Sequence, residues 1–236
     1  MTDGTVRSML SPIDGHSSLA EVAADLIRNE ILAGRIRQGA HLVEAVIAEQ
    51  LNVSRGPVRE AFKLLRAEEL VQEEPRRGTF VVSLGATDVR EIYGLRAAIE
   101  GRAARILASP PDPDVVAELR KLYTDMTTAA AQGDVAALSA SDLAFHDGLC
   151  RLSGNTRLHA VFVRYVPTLR ALLKIDGRFV ESTVAVADHL PMLEAIEAGE
   201  AGRAAQLAEH HCDHAADMMS GYLDSVSPEL ADGAGR

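Results

Sequence analysis

Several side chains in the C-terminal half of the chain are of the types that grip a divalent cation. Asp142 and His146 stand four apart in Asp-Leu-Ala-Phe-His, so on a helix the carboxylate and the imidazole share one face. His189 opens a later segment. His210 and His211 fall midway along the last one, with His214 a turn further on. One carboxylate oxygen with imidazole nitrogens from three helices suits Zn²⁺, Ni²⁺ or Mn²⁺ and leaves coordination positions open. None of these spacings is diagnostic. A lone buried histidine is more often structural than a ligand, and an Asp/His pair at i,i+4 also reads as a surface ion pair. Arg96 adds a cation to an apolar stripe beside Leu95 and Ile99, where a guanidinium is costly unless paired. It reads either as the ion-pair partner of Glu100, four residues on, or as a fork for the carboxylate of a small acid.

A second constellation lies upstream, in Ala48-Glu49-Gln50-Leu51-Asn52-Val53-Ser54-Arg55-Gly56-Pro57-Val58-Arg59-Glu60-Ala61. The run predicts a short helix, a tight turn at Leu51 to Val53, and a second helix capped by the Ser54 hydroxyl. Pro57 is tolerated because a first-turn N–H has no intrahelical partner to lose. Ala61, Leu64 and Leu65 predict a buried face, with Arg55 and Arg59 together on another. A helix-turn-helix that enters the major groove needs this division between a packed face and a basic N-terminal end. Downstream, residues Val71 to Val82 predict two short strands about a basic turn. Arg76 and Arg77 at its tip are placed to reach phosphates or an adjacent minor groove.

The elements that must position these groups follow from periodicity and breakers. Residues 1–17 show no pattern and predict a flexible tail. A first helix is expected from Leu19 to Gly34, with Val22, Leu26, Ile27, Ile31 and Leu32 inward. After a linker at Ser83 to Ala86, Thr87 is expected to cap a long helix reaching Ala108, with Val89, Ile92, Leu95, Ile99, Ala103 and Ile106 as its stripe. Ser109-Pro110-Pro111 ends it. Further helices are expected near 114–132, 134–153, 156–176, 182–198 and 200–224, separated by Gly-containing turns, followed by a frayed tail at 225–236. Six antiparallel helices with short turns make a bundle.

Composition narrows the class. With 236 residues, 47% of them hydrophobic, the chain can build two cores. It has no run of 18 apolar residues and no basic-then-apolar leader, which predicts a cytoplasmic protein with no membrane partner. Cys150 and Cys212 are expected as buried free thiols. Net charge is −10, but residues 1–84 hold 10 Lys+Arg against 12 Asp+Glu, whereas residues 85–236 hold 14 against 22. The acidity is concentrated in the second part. Even so, DNA affinity in the first part must come from individually placed arginines rather than from a general basic field.

At Leu42, Ala48, Leu51, Val53-Ser54-Arg55, Pro57-Val58-Arg59-Glu60-Ala61, Leu65 and Gly78-Thr79-Phe80-Val81 the chain resembles the GntR family of bacterial transcription regulators. The resemblance implies operator contacts by Ser54, Arg55, Gly56 and Arg59, and wing-tip contacts by Arg76, Arg77 and Gly78. Gly56 stands where the family usually has Thr, and Ala45 where several relatives have a basic phosphate contact. Residues Thr87 to Leu223 resemble the all-helical effector domain of the FadR branch, the FCD domain, through Tyr93-Gly94-Leu95-Arg96, Asp142-x-x-Phe145-His146, Ser153-Gly154-Asn155, His189-x-x-x-Leu193 and Glu209-His210-His211. In metal-binding members of that branch the ligands fall at Asp142, His146, His189 and His211. His210 is rotated by about 100° from His211 around a helix and cannot face the same ion, while His214 is the competitor on the same side. Pro191 requires the helix carrying His189 to begin near Asp188 or to be kinked there.

The expectation is therefore a mostly α protein: a flexible tail (1–17), an N-terminal winged helix-turn-helix with a small β-wing (18–83), a C-terminal all-α antiparallel bundle (86–224) and a second tail (225–236). It is read as a homodimeric, ligand-responsive repressor of a metabolic operon and not as an enzyme. Its partners are a pseudo-palindromic double-stranded operator and a small organic acid held by Arg96. Its cofactor is a divalent metal, zinc first, with nickel or manganese as alternatives. The rival classes are a metal-ion sensor and a metal-dependent hydrolase.

Overall fold

Ser18 and Glu21 start the first helix reciprocally. The Ser18 hydroxyl accepts from the Glu21 N–H at 3.2 Å, and the Glu21 carboxylate accepts from the Ser18 N–H at 2.7 Å, a capping box. The computed structural model describes residues 18–175 and 186–232. The expected tail at 1–17, the last four residues and the expected helix start at 182–185 lie outside the described residues. The head comprises α1 (Leu19–Leu32), β1 (His41–Leu42), α2 (Glu44–Gln50), α3 (Arg55–Ala67), β2 (Val71–Glu74) and β3 (Gly78–Val81). The strands form an antiparallel sheet in the order β1-β3-β2, with Glu74 opposite Gly78 at the wing turn and His41 opposite Phe80. β1 is too short to carry an alternating pattern, which is why the sequence predicts only the hairpin.

The head's core sets the pitch of the recognition helix α3. Val58, Ala61, Phe62 and Leu65 are buried, at helical spacings of 3 and 4, against Ala23, Ala24, Ile27 and Ile31 of α1. Burying a Phe or Leu side chain is worth about 1.5–3 kcal/mol. Three residues expected inside are not. Val22 is 44% exposed, Leu26 48% and Leu64 39%. The small Ala23 and Ala24 occupy the inward arc of α1, which turns Val22 and Leu26 outward by about 100° relative to their neighbours; Phe62 similarly takes the place expected for Leu64.

The second unit consists of α4 (Ala86–Leu107), α5 (Pro113–Gln132), α6 (Val135–Leu152), α7 (Thr156–Ile175), α8 (His189–Glu197) and α9 (Ala201–Asp232). α4 begins one residue ahead of Thr87. Gly85 is its cap, and its N–H donates to the Asp88 carboxylate at 2.8 Å. The most extensive pairing is α4 with α9. Gly101 permits it, since a Cβ there would lie 2.7 Å from the Glu209 side chain. α9 runs past its expected end at 224, because extending an established helix gains one hydrogen bond per residue fixed. Among the described residues no helix is long and apolar enough to cross a membrane. Cys150 and Cys212 are free and buried.

Head and bundle meet at the C-terminal end of α3. Glu68, its C-cap residue, accepts two hydrogen bonds of 2.6 Å from Arg28 of α1, and its carbonyl lies 3.5 Å from the Thr168 hydroxyl of α7. Arg164 of α7 pairs with Glu69 at 3.2 Å. Arg164 therefore faces the head.

Candidate metal centre and nucleic-acid interface

The inner seam of α4 is polar at its middle. Its buried residues run Val89, Tyr93, Arg96, Ala97, Glu100, Ala103, Ala104 and Leu107, whereas Ile92, Leu95, Ile99 and Ile106 are only half-buried. Val89, Arg96 and Ala103 of the expected stripe are thus buried, while its isoleucines and Leu95 lie at the rim and Glu100 joins Arg96 inside. These two form an ion pair, Arg96 Nε donating to Glu100 Oε1 at 2.7 Å. The other Glu100 oxygen lies 2.6 Å from His146 Nδ1 on α6. With His146 donating from Nδ1, the lone pair of Nε2 is directed away from Glu100 toward the other imidazoles.

Three histidines on three helices converge there. α6 carries His146 inward beside Leu143, Leu149 and Cys150; α8 begins with His189; α9 brings His211. One ligand nitrogen from each lies within 4.8 Å of the others, and His146 Nε2 and His189 Nε2 are 3.2 Å apart. Asp142 Oδ1 lies 3.4 Å from His189 Nε2 and 3.7 Å from His146 Nε2. Three of the four sequence-expected ligands, His146, His189 and His211, thus form the cluster, and Asp142 lies beside His146 and His189. His210 is exposed, and His214 turns to Asp188 at 3.2 Å, so neither joins the cluster. Pro191 is accommodated because α8 starts at His189, leaving Pro191 in the first turn. The ring of Phe145 stands edge-on to His146 and His189, at 5.8 and 5.0 Å, and walls the site.

Electrostatics favour ligand forms. Burial pushes the Asp142 carboxyl up, but His146 and His189 outweigh it and hold it below the carboxylate range. Burial and the neighbouring His189 and His146 push His211 well down, toward neutral imidazole. Burial also raises Glu100, but Arg96 and His146 bring it down to about 2. His146 is the exception: burial lowers it, yet Glu100 raises it overall, through the contact that would strengthen Nε2 as a donor. Two buried nitrogens have no hydrogen-bond partner among the described residues, His211 Nδ1 and Arg96 Nη2. Converging imidazoles, an ionised carboxylate and an orphaned ring nitrogen fit a divalent metal. Arg96 also lies over the Tyr93 ring, 4.7 Å from Cζ to the centroid.

Glu100 is the functional residue that sequence reasoning undervalued. It entered only as a partner for Arg96, and nothing in the spacing tells that its second oxygen reaches a histidine 46 positions away.

On the head, the sequence-expected contact residues lie at the start of α3 and at the wing turn. Ser54 is the N-cap residue of α3, yet its side chain makes no capping bond, contrary to expectation. Arg55 is exposed at the first helical position, and in place of a Cβ at Gly56 there is open space, the nearest atom being Ser54 Oγ at 3.9 Å. Arg59 is held by Glu44, the first residue of α2, through two hydrogen bonds. At the wing, Arg76 adopts φ 64°, Arg77 pairs with Glu74, and the Arg77 guanidinium lies 5.2 Å from the Phe80 ring. Gly78 adopts φ 109°, a conformation that favours glycine, and a Cβ there would displace the exposed His41 ring, whose Nε2 would lie 2.6 Å away. A cleft between α3 and the wing mixes charges, with Arg59, Lys63 and Arg66 lining it beside Glu44 and Glu73.

Comparison with known proteins places the chain. Residues 19–81 match the family of bacterial regulatory proteins called gntR, and residues 91–214 match the FCD domain. The chain is 31% identical, over 83% of its length and 86% of the relative's, to a "Probable D-xylose utilization operon transcriptional repressor" of Paenarthrobacter nicotinovorans. It is 28% identical to the gluconate operon transcriptional repressor of Bacillus subtilis, over 64% of this chain and 62% of that one. Among solved structures, a GntR regulator from Rhodococcus sp. RHA1 superposes with TM-score 0.71 at 26% identity, covering 87% of this chain and 99% of that one. The protein belongs to the GntR family of transcription regulators, in its FadR-like branch with an FCD domain. The family is one of regulators, not enzymes.

Proposed function

We propose that the protein is a homodimeric, acid-responsive repressor of a metabolic operon. Its two heads occupy successive major-groove half-sites of a pseudo-palindromic operator, about 34 Å apart. Ser54, Arg55, Gly56 and Arg59 face base edges and phosphates, and Arg76, Arg77 and Gly78 form the wing contact. As a repressor it works where the chromosome is, in the cytoplasm. In the bundle Asp142, His146, His189 and His211 hold a divalent metal, zinc first by its fit to one oxygen and three nitrogens. When bound, the ion supplies Lewis-acid attraction for the oxygens of a small organic acid.

Arg96 holds the acid's carboxylate from the other side. The observation that carries this is its Nη2, buried and without a partner while Nε is committed to Glu100. An unmet buried cationic donor is costly, and a carboxylate removes the cost through a charge-assisted bond. The relatives named for D-xylose and gluconate operons favour a hydroxylated sugar acid. The response is a population shift, carried to the head through the α7 contacts of Thr168 and Arg164 with Glu68 and Glu69. Reversal from 99:1 bound to 99:1 free needs differential affinity on the order of 5 kcal/mol.

The test is an operator-binding titration. A duplex selected from a random pool by the zinc-loaded protein is held fixed while aldonic, aldaric and simple carboxylic acids are added. Release by one class of acid, shifted to much higher acid concentration in Arg96→Met, is the expected result. Release or capture by free metal alone, with no acid effective, would replace this reading with a metal sensor.

A further inference from the structure

The Arg59–Glu44 pair has a geometry that bears on base reading. Arg59 sits in the second turn of α3 and Glu44 at the start of α2, so the pair bridges the two helices of the reading motif. Arg59 Nε donates to Glu44 Oε1 at 3.0 Å and Arg59 Nη2 to Glu44 Oε2 at 2.9 Å. The Arg59 side chain is 61% exposed and Glu44 32%, so the pair lies at the surface and does not support the core.

A guanidinium has two edges on which it can make paired hydrogen bonds. Glu44 occupies the side edge, Nε with one proton of Nη2. The end edge, Nη1 with the second proton of Nη2, remains available and is aimed by the carboxylate behind it. An arginine end edge matches guanine O6 and N7, two acceptors side by side in the major groove. Arg55 adds a further positive charge near Glu44.

We infer that Glu44 is a specificity-determining positioning residue: its carboxylate fixes the Arg59 guanidinium so that its end edge reads one guanine in each half-site. A carboxylate facing a polyanion weakens binding to every sequence alike. An aimed fork strengthens binding only where guanine is present. Glu44 therefore trades general affinity for discrimination, which suits a head that holds no excess of basic residues (10 Lys+Arg against 12 Asp+Glu in residues 1–84). The inference rests on the operator-binding reading above.

The experiment is selection from a random duplex pool with the full-length protein, comparing wild type, Glu44→Gln, Arg59→Ala and the double variant, with melting curves alongside. The wild type is expected to select a motif containing a G·C pair, repeated by symmetry, favoured by roughly 5- to 150-fold. Glu44→Gln should flatten preference at that pair and leave the other positions and the melting curve in place. Its affinity for a scrambled duplex should hold or rise. Arg59→Ala should flatten the same pair, and the double variant should do no more at that position than either change alone. A Glu44→Gln motif identical to wild type, with affinity raised for all duplexes, would make Glu44 a mere charge and overturn the inference. So would a loss of preference spread evenly over every position. A wild-type pool with no motif would overturn the operator-binding reading itself, and this inference with it.

Discussion

Two of the molecule's arginine–glutamate pairs, one on each unit, sit in opposite surroundings. In the head, Arg59 and Glu44 have side chains 61% and 32% exposed. In the bundle, Arg96 and Glu100 are 7% and 0% exposed. Water screens the first pair, so it contributes little to folding, and what its two hydrogen bonds supply is the orientation of the Arg59 fork. The second pair has given up its hydration, so each remaining donor and acceptor must be met from within. Glu100 manages this with both oxygens, on Arg96 and His146; Arg96 does not, because Nη2 is unpartnered. The same chemistry thus acts as an aiming device at the surface and as a demand for a ligand in the interior.

The largest break in that symmetry is expected from Glu100→Ala, which strands a buried guanidinium. Loss of about 3–5 kcal/mol in urea unfolding is expected, a fall in Tm on the order of 10 °C. Glu44→Ala should leave Tm unchanged, and equal falls for the two variants would erase the contrast. Next, His211→Ala should weaken zinc retention against a chelator by more than the roughly 10–100-fold that loss of a mere supporting residue causes. His214→Ala should leave retention alone, and reversed results would mean that the competing histidine is the ligand. Arg96→Met should weaken the acid response by roughly 10- to 150-fold while operator binding without acid survives, as read from the titration midpoint. The smallest effect concerns pH. The hydrogen bonds from Arg59 hold the Glu44 carboxyl below its ordinary value, so the pair is intact above that value and is lost only as pH falls through the depressed one. Base preference should therefore stay constant from about pH 8 to about pH 5.5, and a change across that range would point to another titrating group.

Legibility in the sequence followed how local the information was. The turn at Leu51 to Val53, the proline in the first turn of α3 and the helices α5, α6 and α7 are decided within a few residues and stand where the pattern put them, whereas the helix expected over 182–198 is interrupted by a turn at Asp188 and α9 runs on to Asp232. Faces of helices were less legible wherever alanine or a polar residue took an inward position. Val22 and Leu26 were expected inside on hydrophobicity, but Ala23 and Ala24 hold that arc. Along α4 the expected stripe held at Val89, Arg96 and Ala103, but Ile92, Leu95 and Ile99 gave way to Tyr93 and Glu100. Hydrophobic periodicity does not register a buried ion pair, whose place is set by partners on other helices.

By itself the chain determined its two units, the helix-turn-helix with its wing, and the roster of groups able to bind metal or DNA, since each rests on side-chain type and short-range spacing. Only the tertiary structure decided which groups meet. It set His211 and not His214 beside His146 and His189, gave Glu100 a second partner on α6, turned Arg164 toward the head and placed Glu44 behind Arg59. Those choices depend on how helices far apart in sequence cross and rotate against one another, and packing fixes that geometry for the whole molecule at once.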